Sequence, residues 1–280
     1  MKPETFEIFS KLVKHTSGLV LTKDKVYLLE SRLMPVVRKR NLKDLEELGA
    51  KLKGKPEDAL VQEVTEAMTT NESSFFRDIK PFEQFRQTVL PRFLAARAAR
   101  KQLRIWSAAC STGQEAYSLA MILKEEAAKL AGWKIEIVGT DLSAEMVERS
   151  KAGLYTQFEA QRGLPIQMLM KYFKQAGDKW EIKPEIRSMA SFRTCNLLGS
   201  LAPLGQFDIV FCRNVLIYFD QPTKARVLES ISRIMPSDGA LYLGGAETVL
   251  GITDRFQPVA GQRGIYELAS QPPMKLAAAS

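Results

Sequence analysis

Arg213 and Asn214 lie between two apolar stretches of the sequence. They follow the run FDIVFC and precede VLIYF, which contains Tyr218. Charged side chains are rarely buried without a partner, so a strand that reaches Arg-Asn should leave the core there. In an open α/β sheet, the carboxyl end of a strand faces the ligand cleft. We therefore expect Arg213, Asn214 and Tyr218 at a binding site. The alternative, a solvated loop beside a packed tyrosine, is disfavoured by the apolar residues on both sides.

Two further polar residues end predicted strands. Asp141 closes the stretch KIEIVGTD, and Asn196 lies in TCNLL. A carboxylate at the end of the second strand can accept hydrogen bonds from both hydroxyls of a ribose. Asp141 could instead cap the next helix, but Ser143 is better placed for that role. Asn196 could orient an adenine, although this signal is weak alone because asparagine is common in loops.

The first predicted strand ends in SAACSTGQE, which contains a single glycine, Gly113. A dinucleotide pyrophosphate requires several glycines for close approach of the backbone, so the loop favours a ligand without phosphate. S-adenosylmethionine is such a ligand, and Glu115 could hold its positively charged amino group. Alternatively, the small residues of this stretch could serve packing alone, and Glu115 could merely favour the start of a helix. The motif alone leaves both interpretations open.

Composition sets bounds on these hypotheses. The chain has 280 residues, 45% of them hydrophobic, which is enough for one large domain or two unequal ones. No apolar run approaches the length of a membrane span, and the first residues do not resemble a signal peptide. Cys110, Cys195 and Cys212 form no CxxC motif, which disfavours disulfides and zinc and is typical of the cytoplasm. The net charge of +8 favours an acidic partner without identifying it.

The periodicity of the apolar residues divides the chain into three parts. Residues 1–68 show helical spacing only, which predicts an all-helical module. Residues 69–102 predict an irregular connector followed by a helix. From residue 103 to residue 270, strand patterns alternate with helical ones, which predicts a doubly wound α/β sheet with a largely parallel core.

One stretch interrupts this alternation. The letters KWEIKPEIRSMASFRT, residues 179–194, predict a β-hairpin that turns at Lys183-Pro184. We therefore expect a small β-subdomain inserted at about residues 175–194. Residues 271–280 predict a loose tail.

Five motifs resemble the signature set of the CheR-type chemotaxis receptor methyltransferases, in order and spacing, along nearly the whole chain. They are TTNESSFFRD, AACSTGQEAYS, GTDLS, CNLL and FDIVFCRNVLIYF. The resemblance implies a Rossmann-like class I S-adenosylmethionine-dependent methyltransferase with an all-helical N-terminal domain and a small inserted antiparallel β-subdomain. It also implies a cytoplasmic, metal-free monomer that forms glutamate methyl esters on the cytoplasmic helical bundle of bacterial chemoreceptors.

The resemblance extends to individual positions. It places Arg77 and Tyr218 next to the transferred methyl group. Ser73 and Gln114 stand where relatives often have threonine and glutamate, departures that could alter affinity. The implied cofactor contacts are Asn71, Ser73, Arg77, Glu115, Asp141, Asn196, Leu197, Arg213 and Asn214.

The implied reaction fits the composition. A glutamate side chain, with a reference pKa of about 4.3, is already an anion at neutral pH and needs no base to attack a methyl group on sulfonium. The chain has a single histidine, His15, far from the motifs. Alignment and charge handling are then what the protein must supply.

Two features could contact a receptor. A basic stripe on the second predicted helix comprises Arg32, Arg38, Lys39 and Arg40. Such a stripe would steer the protein toward acidic receptor helices, whereas the ordinary alternative is a solvated helix face. In some relatives the inserted hairpin pairs with a receptor tail peptide by strand addition, and the letters of residues 179–187 leave that open here.

Three other functions are less well supported. A base-amine methyltransferase of nucleic acids typically carries Asn/Asp-Pro-Pro-aromatic after the central strand, where this chain has Arg213-Asn214-Val215-Leu216. The sequence also lacks an aromatic-basic stripe that could stack bases, so we expect no nucleic-acid partner. A non-catalytic scaffold would be favoured by loss of Arg77 or Tyr218, and both are present. The glycine-poor first loop disfavours a nicotinamide enzyme.

Overall fold

The computed structural model describes residues 1–269. The predicted tail, residues 271–280, lies outside the described residues, as does residue 270. The α-helices are α1 (Pro3–Ser17), α2 (Val26–Lys39), α3 (Leu45–Lys51), α4 (Asp58–Met68), α5 (Lys80–Gln84), α6 (Leu90–Ala96), α7 (Gln114–Glu125), α8 (Ala144–Ala152), α9 (Gln157–Gln161), α10 (Ile166–Tyr172), α11 (Pro184–Arg187) and α12 (Gln221–Ser232). The strands are β1 (Gln102–Ala108), β2 (Lys134–Asp141), β3 (Leu154–Thr156), β4 (Phe173–Ala176), β5 (Lys179–Ile182), β6 (Ala190–Thr194), β7 (Ile209–Cys212), β8 (Ala240–Leu243), β9 (Phe256–Pro258) and β10 (Ile265–Leu268).

The predicted doubly wound sheet is confirmed. Seven strands pair in the order β6-β2-β1-β7-β8-β10-β9. Neighbours from β6 to β8 are parallel, and β10 runs antiparallel to both β8 and β9. The chain moves outward from β1 to β2 and β6 on one side, and from β7 to β8 on the other. The carboxyl ends of β1 and β7 therefore form the crevice in which such sheets bind ligands.

The central strands are apolar on both faces because helices cover both sides of a parallel sheet. Successive side chains of a strand point to opposite faces. Ile105 and Phe211 accordingly belong to one buried cluster, and Trp106 and Val210 belong to another. These two cores hold the strand ends that carry the predicted site residues.

The predicted all-helical N-terminal module is also confirmed. Helices α1 to α4 enclose a core of their own, in which Phe9, Leu29, Leu33 and Val64 are fully buried. Gly18 ends α1 in the left-handed conformation, with φ +79°, which glycine adopts without strain. None of the helices within residues 1–269 is both long and apolar enough to cross a membrane.

The inserted β-subdomain exists, but the predicted hairpin at residues 179–194 was misplaced. The hairpin joins β4 to β5 and turns at Gly177-Asp178, where Gly177 has φ +64°. Its strand β5 also pairs with β3, which gives a three-stranded antiparallel sheet. Pro184 starts the short helix α11 instead of making a turn, because proline also suits the first position of a helix. Residues 190–194, the predicted second arm, are β6 of the main sheet.

The helix predicted before β1 contains one irregular turn. Residues Phe85–Val89, between α5 and α6, form a π-helical turn in which the Leu90 N–H donates to the Phe85 carbonyl. Pro91 lacks an N–H, so it cannot continue the regular α-helical bonding pattern at this point. The turn keeps Phe82, Phe85 and Phe93 buried in the same cluster against the sheet.

Candidate active site

A cleft lies at the carboxyl ends of β1, β2, β6 and β7. The empty space in and above it, including a part that is open to solvent, is about 980 Å³. The linker between the N-terminal module and α5 forms a second wall, and Ser17 and Leu19 of the module close one end. All the residues to which the sequence analysis assigned cofactor or catalytic roles line this one cleft: Asn71, Ser73, Arg77, Glu115, Asp141, Asn196, Leu197, Arg213, Asn214 and Tyr218.

Asp141 is a buried carboxylate at the end of β2. It accepts hydrogen bonds from the backbone N–H groups of Ser111, at 2.8 Å, and Ser143, at 3.0 Å. Burial raises the pKa of Asp141, and these backbone hydrogen bonds oppose that shift. Ser143 is the side chain that caps α8, as predicted, since its hydroxyl accepts from the Met146 N–H. Asp141 is therefore not the helix cap, and each of its oxygens can accept a further hydrogen bond from a ligand.

Arg213 is almost fully enclosed at the end of β7, with a side chain that is 2% exposed. Its guanidinium donates to Glu115 at 2.9 Å, to Asp78 at 2.7 Å and to the Arg77 carbonyl at 3.0 Å. The sequence predicts that Arg213 leaves the core and faces the ligand cleft. Arg213 does line the cleft, but its side chain stays buried, because two carboxylates and a carbonyl satisfy its charge. Its Nε atom has no hydrogen-bond partner among the residues that the structure describes.

Glu115, at the start of α7, is engaged within the protein. One carboxylate oxygen accepts from Arg213 and the other accepts from the Ser107 hydroxyl at 2.8 Å. Glu115 was expected to hold the amino group of a ligand. Its carboxylate already pairs with Arg213, so such a ligand would have to share the carboxylate with this arginine. The Arg213–Glu115 ion pair thus connects the end of β7 to the start of α7.

The linker wall is held by backbone contacts. The Ser111 hydroxyl donates to the Asn71 carbonyl at 2.7 Å, and an Arg77 guanidinium nitrogen donates to the Glu72 carbonyl at 3.0 Å. Phe76, Asp78 and Ile79 have φ of 49°, 69° and 46°, values that side chains other than glycine rarely adopt. Such conformations persist only where the surroundings fix them, and they cluster at functional sites.

Asn196 joins the cleft to the N-terminal module. Its Nδ2 donates to the Thr16 carbonyl at 2.6 Å, and its Oδ1 accepts from the Leu198 N–H at 3.0 Å. Both polar atoms of the side chain thus already have protein partners, which the expected role in orienting an adenine did not foresee. The neighbouring Leu197 is buried and also lines the cleft.

Glu247 was not among the residues predicted from the sequence. Its carboxylate accepts hydrogen bonds from the backbone N–H groups of Asn214, Val215, Ile217 and Gly244. Glu247 lies in GGAETV, directly after a predicted strand, so the strand-end rule that found Asp141 could have found it. It contacts the loop that carries Asn214 and Tyr218 without lining the cleft itself.

The predicted basic stripe does not form one free face of α2. Arg32 is turned inward, where it donates to the carbonyls of Met68 and Thr69 and to the Thr70 hydroxyl; burial lowers its pKa from the ordinary arginine value. Lys39 and Arg40 pair with Glu63, and Arg40 also pairs with Glu57. Arg38 is exposed and has no ion pair within residues 1–269. Helical periodicity predicted the face of α2 but not the acids that α4 brings to it.

The cleft can align an already ionised nucleophile but offers little for proton transfer. His15 does not line it, and Asp141 and Glu115 are both hydrogen-bonded within the protein. Among residues 1–269, no three histidine, cysteine, aspartate or glutamate side chains are grouped closely enough to hold a metal ion.

Comparison with known proteins gives two family matches. Residues 4–69 match the family described as CheR methyltransferase, all-alpha domain, and residues 71–265 match CheR methyltransferase, SAM binding domain. The chain is 42% identical over 264 residues to chemotaxis protein methyltransferase Cher2 of Pseudomonas putida, covering 93% of this chain and 96% of the relative. It is 43% identical over 264 residues to chemotaxis protein methyltransferase 1 of Pseudomonas aeruginosa, with the same coverage. A chemotaxis protein methyltransferase of Vibrio parahaemolyticus is 38% identical over 269 residues, with 95% and 97% coverage.

The ion network around Arg213 leads to a prediction about stability. Arg213→Met should lower the free energy of unfolding by about 3–5 kcal/mol, because it leaves the largely buried Glu115 carboxylate without a cation. Asp78→Asn removes the other partner, whose side chain is 53% exposed, and should cost at most about 1 kcal/mol. Urea denaturation followed by circular dichroism measures both changes.

A double variant, Arg213→Met with Glu115→Gln, is the control for the stranded charge. It should be more stable than Arg213→Met alone, because the uncompensated anion is gone. Equal losses for Arg213→Met and Asp78→Asn would contradict this account of the network.

Proposed function

The chain belongs to the CheR methyltransferase family, and we propose that it transfers the methyl group of S-adenosylmethionine to glutamate side chains of bacterial chemotaxis receptors. The products are a glutamate 5-O-methyl ester and S-adenosylhomocysteine, and the reaction serves chemotactic adaptation. The observation that carries the proposal is the cleft itself. Most of its lining belongs to the matched SAM-binding domain, including the linker residue Arg77 and the loop residue Tyr218.

The residues of the cleft fit the cofactor. Asp141 offers a buried carboxylate with remaining acceptor capacity, which suits the two hydroxyls of a ribose. Apolar surface from Leu19, Leu142 and Leu197 lines the same cleft and suits the adenine. We propose that the cofactor is held by Asn71, Ser73, Arg77, Glu115, Asp141, Asn196, Leu197, Arg213 and Asn214.

The reaction needs alignment more than acid–base chemistry. The cofactor supplies an electrophilic methyl group on a positively charged sulfur. A carboxylate oxygen of the substrate forms a bond to the methyl carbon, and the carbon–sulfur bond breaks with its electron pair remaining on sulfur. Since the glutamate, with a reference pKa of about 4.3, is ionised at neutral pH, no residue has to remove a proton. We propose that Arg77 and Tyr218 orient the reacting groups. Holding reactants in the correct geometry accelerates a reaction because the entropy of orientation has already been lost on binding.

The decisive experiment is methyl transfer from radiolabelled S-adenosylmethionine to a chemoreceptor cytoplasmic fragment. We expect label on the receptor that mild base releases as methanol, because carboxyl methyl esters hydrolyse in base. Tyr218→Phe should reduce the rate of labelling, whereas Tyr27→Phe, on an exposed tyrosine of α2, should not. Label that resists base would point to methylation of another atom and overturn the proposed ester. Absence of label despite tight binding of S-adenosylhomocysteine would overturn the enzyme activity on that receptor.

The proposed ribose contact of Asp141 predicts a pH dependence of cofactor affinity. Ribose hydroxyls donate to the carboxylate, so binding requires the anion, and burial raises the pKa of Asp141 above its ordinary value. Affinity for S-adenosylhomocysteine should therefore be highest near neutral pH and fall as the pH drops through this raised pKa.

The stability of the ligand-free protein should respond to pH in the opposite sense. A raised pKa in the folded state means that the contribution of Asp141 to stability is largest at low pH and is lost as the pH rises.

Calorimetric titration of S-adenosylhomocysteine between about pH 8 and about pH 4.5 measures this change in affinity, since ordinary aspartates titrate lower, at about pH 3.9. Asp141→Asn should bind more weakly at neutral pH and lose this pH dependence. If Asp141→Asn and the unmodified protein show the same pH profile, Asp141 does not contact the ribose.

We propose that receptor docking by the basic stripe depends chiefly on Arg38, because Arg32, Lys39 and Arg40 are engaged within the protein. A charge at the rim of an interface acts mainly on the encounter and its salt dependence. Arg38→Glu should raise the KM for the receptor fragment several-fold at low salt, with a smaller effect at high salt. Lys51→Glu, an exposed residue of the same module, is the control with the same change in charge. Equal KM values for the two variants would remove Arg38 from the docking surface.

A further inference from the structure

The loop from Asn214 to Tyr218 carries two residues of the cleft on an unusual backbone. Asn214 has φ 59°, in the left-handed region, and Leu216–Tyr218 form a single 3₁₀ turn. The far end of the loop is fixed by the N-terminal module, since the Val20 N–H donates to the Tyr218 carbonyl at 3.0 Å and Leu19 pairs with Phe219. The near end of the loop needs a different anchor.

Glu247 is that anchor. One carboxylate oxygen accepts from the N–H of Asn214 at 2.8 Å and of Gly244 at 2.6 Å. The other accepts from the N–H of Val215 at 2.9 Å and of Ile217 at 3.2 Å. A single side chain thus binds three of the four peptide N–H groups from Asn214 to Ile217.

The surroundings of Glu247 are built for this contact. The residue is 9% exposed, and no lysine or arginine within residues 1–269 forms an ion pair with it. Its charge is compensated by backbone N–H donors, and hydrogen bonds to an ionised acceptor are stronger than those between neutral groups. A Cβ at residue 244 would lie 2.7 Å from the Glu247 carboxylate and 2.8 Å from the side-chain nitrogen of Asn214. Only glycine therefore leaves room for these contacts.

We propose that Glu247 is a positioning residue of the methyl-transfer site. Its carboxylate fixes the backbone of residues 214–217 and thereby sets the places of the Asn214 and Tyr218 side chains in the cleft. Glu247 does not touch the cleft and acts only through this loop. The inference that the held groups serve methyl transfer rests on the proposed function, whereas the hold on the loop does not.

Glu247→Gln tests the proposal with almost no change in shape. The amide oxygen of glutamine can replace one carboxylate oxygen, but its NH₂ group then faces two backbone N–H donors and repels them. The matched control is Glu229→Gln on α12, which removes a carboxylate bound to Arg255 at the surface.

Two readouts are needed. Amide hydrogen exchange in the peptide spanning residues 213–219 should become faster in Glu247→Gln and stay unchanged in Glu229→Gln. At a temperature where both variants are folded, kcat for receptor methylation should fall by about tenfold or more while the receptor KM stays nearly constant, as expected for a small misplacement of reacting groups. A merely structural role would lower the melting temperature without lowering kcat per folded molecule.

The outcomes separate the possible failures. Unchanged exchange in residues 213–219 overturns the hold on the loop, and faster exchange with unchanged kcat overturns the positioning role. If the unmodified protein does not methylate the receptor, the proposed function fails, while exchange and S-adenosylhomocysteine affinity still test the hold on the loop. Should Glu247→Gln not fold, Glu247→Asp replaces it with the same readouts, because it keeps the charge but shortens the reach of the carboxylate.

Discussion

The buried charge of Arg213 is the constraint on which the rest of the site depends. A guanidinium at the end of a central strand must be satisfied by the protein, because an unpaired buried charge is very costly. Glu115 brings the start of α7 to it, and Asp78 with the Arg77 carbonyl brings the linker. One cation therefore joins the sheet, the helix after β1 and the opposite wall of the cleft. The left-handed backbone at Asp78 and Ile79 is tolerated because this network and the packing of Phe75 and Phe76 hold the linker on both sides.

The N-terminal module is the second constraint, since it completes the cleft and is held there by hydrogen bonds. Near the end of α1, the Thr16 carbonyl accepts a hydrogen bond from the Asn196 side-chain amide. In α4, the Glu66 carboxylate accepts one from the Ser143 hydroxyl at 3.0 Å. Arg32 then ties α2 to the first residues of the linker. These bonds reach strand ends of the sheet domain, so the module is held next to the site itself.

Much of this arrangement was predictable because it follows from periodicity and strand ends. Continuous apolar runs identify central strands, and the polar residues that end them must meet at one edge, which located Asp141 and Arg213. The partners were not predictable in the same way. Glu115 and Asp78, the two carboxylates that pair with Arg213, are 98 and 135 residues away from it in the sequence. No local pattern points to partners at such distances, so the sequence did not predict that the charge of Arg213 is satisfied within the protein. Glu247 follows a predicted strand, so the strand-end rule could have found it, but nothing in the sequence shows that its partners are backbone N–H groups. The hairpin was misplaced because proline fits both a turn and a helix start, whereas the left-handed Gly177 marked the true turn.

The two arginines of the cleft differ in how far their charges are already engaged within the protein. The charge of Arg213 is already shared with two carboxylates, so it contributes little to binding another anion. Arg77 also lines the cleft, but its guanidinium donates only to the Glu72 carbonyl and forms no ion pair within residues 1–269. In the proposed reaction we therefore expect Arg77, and not Arg213, to receive an incoming carboxylate. The protein thus uses one arginine to build the cleft and leaves the other available to the ligands, a division that follows from which of them is buried.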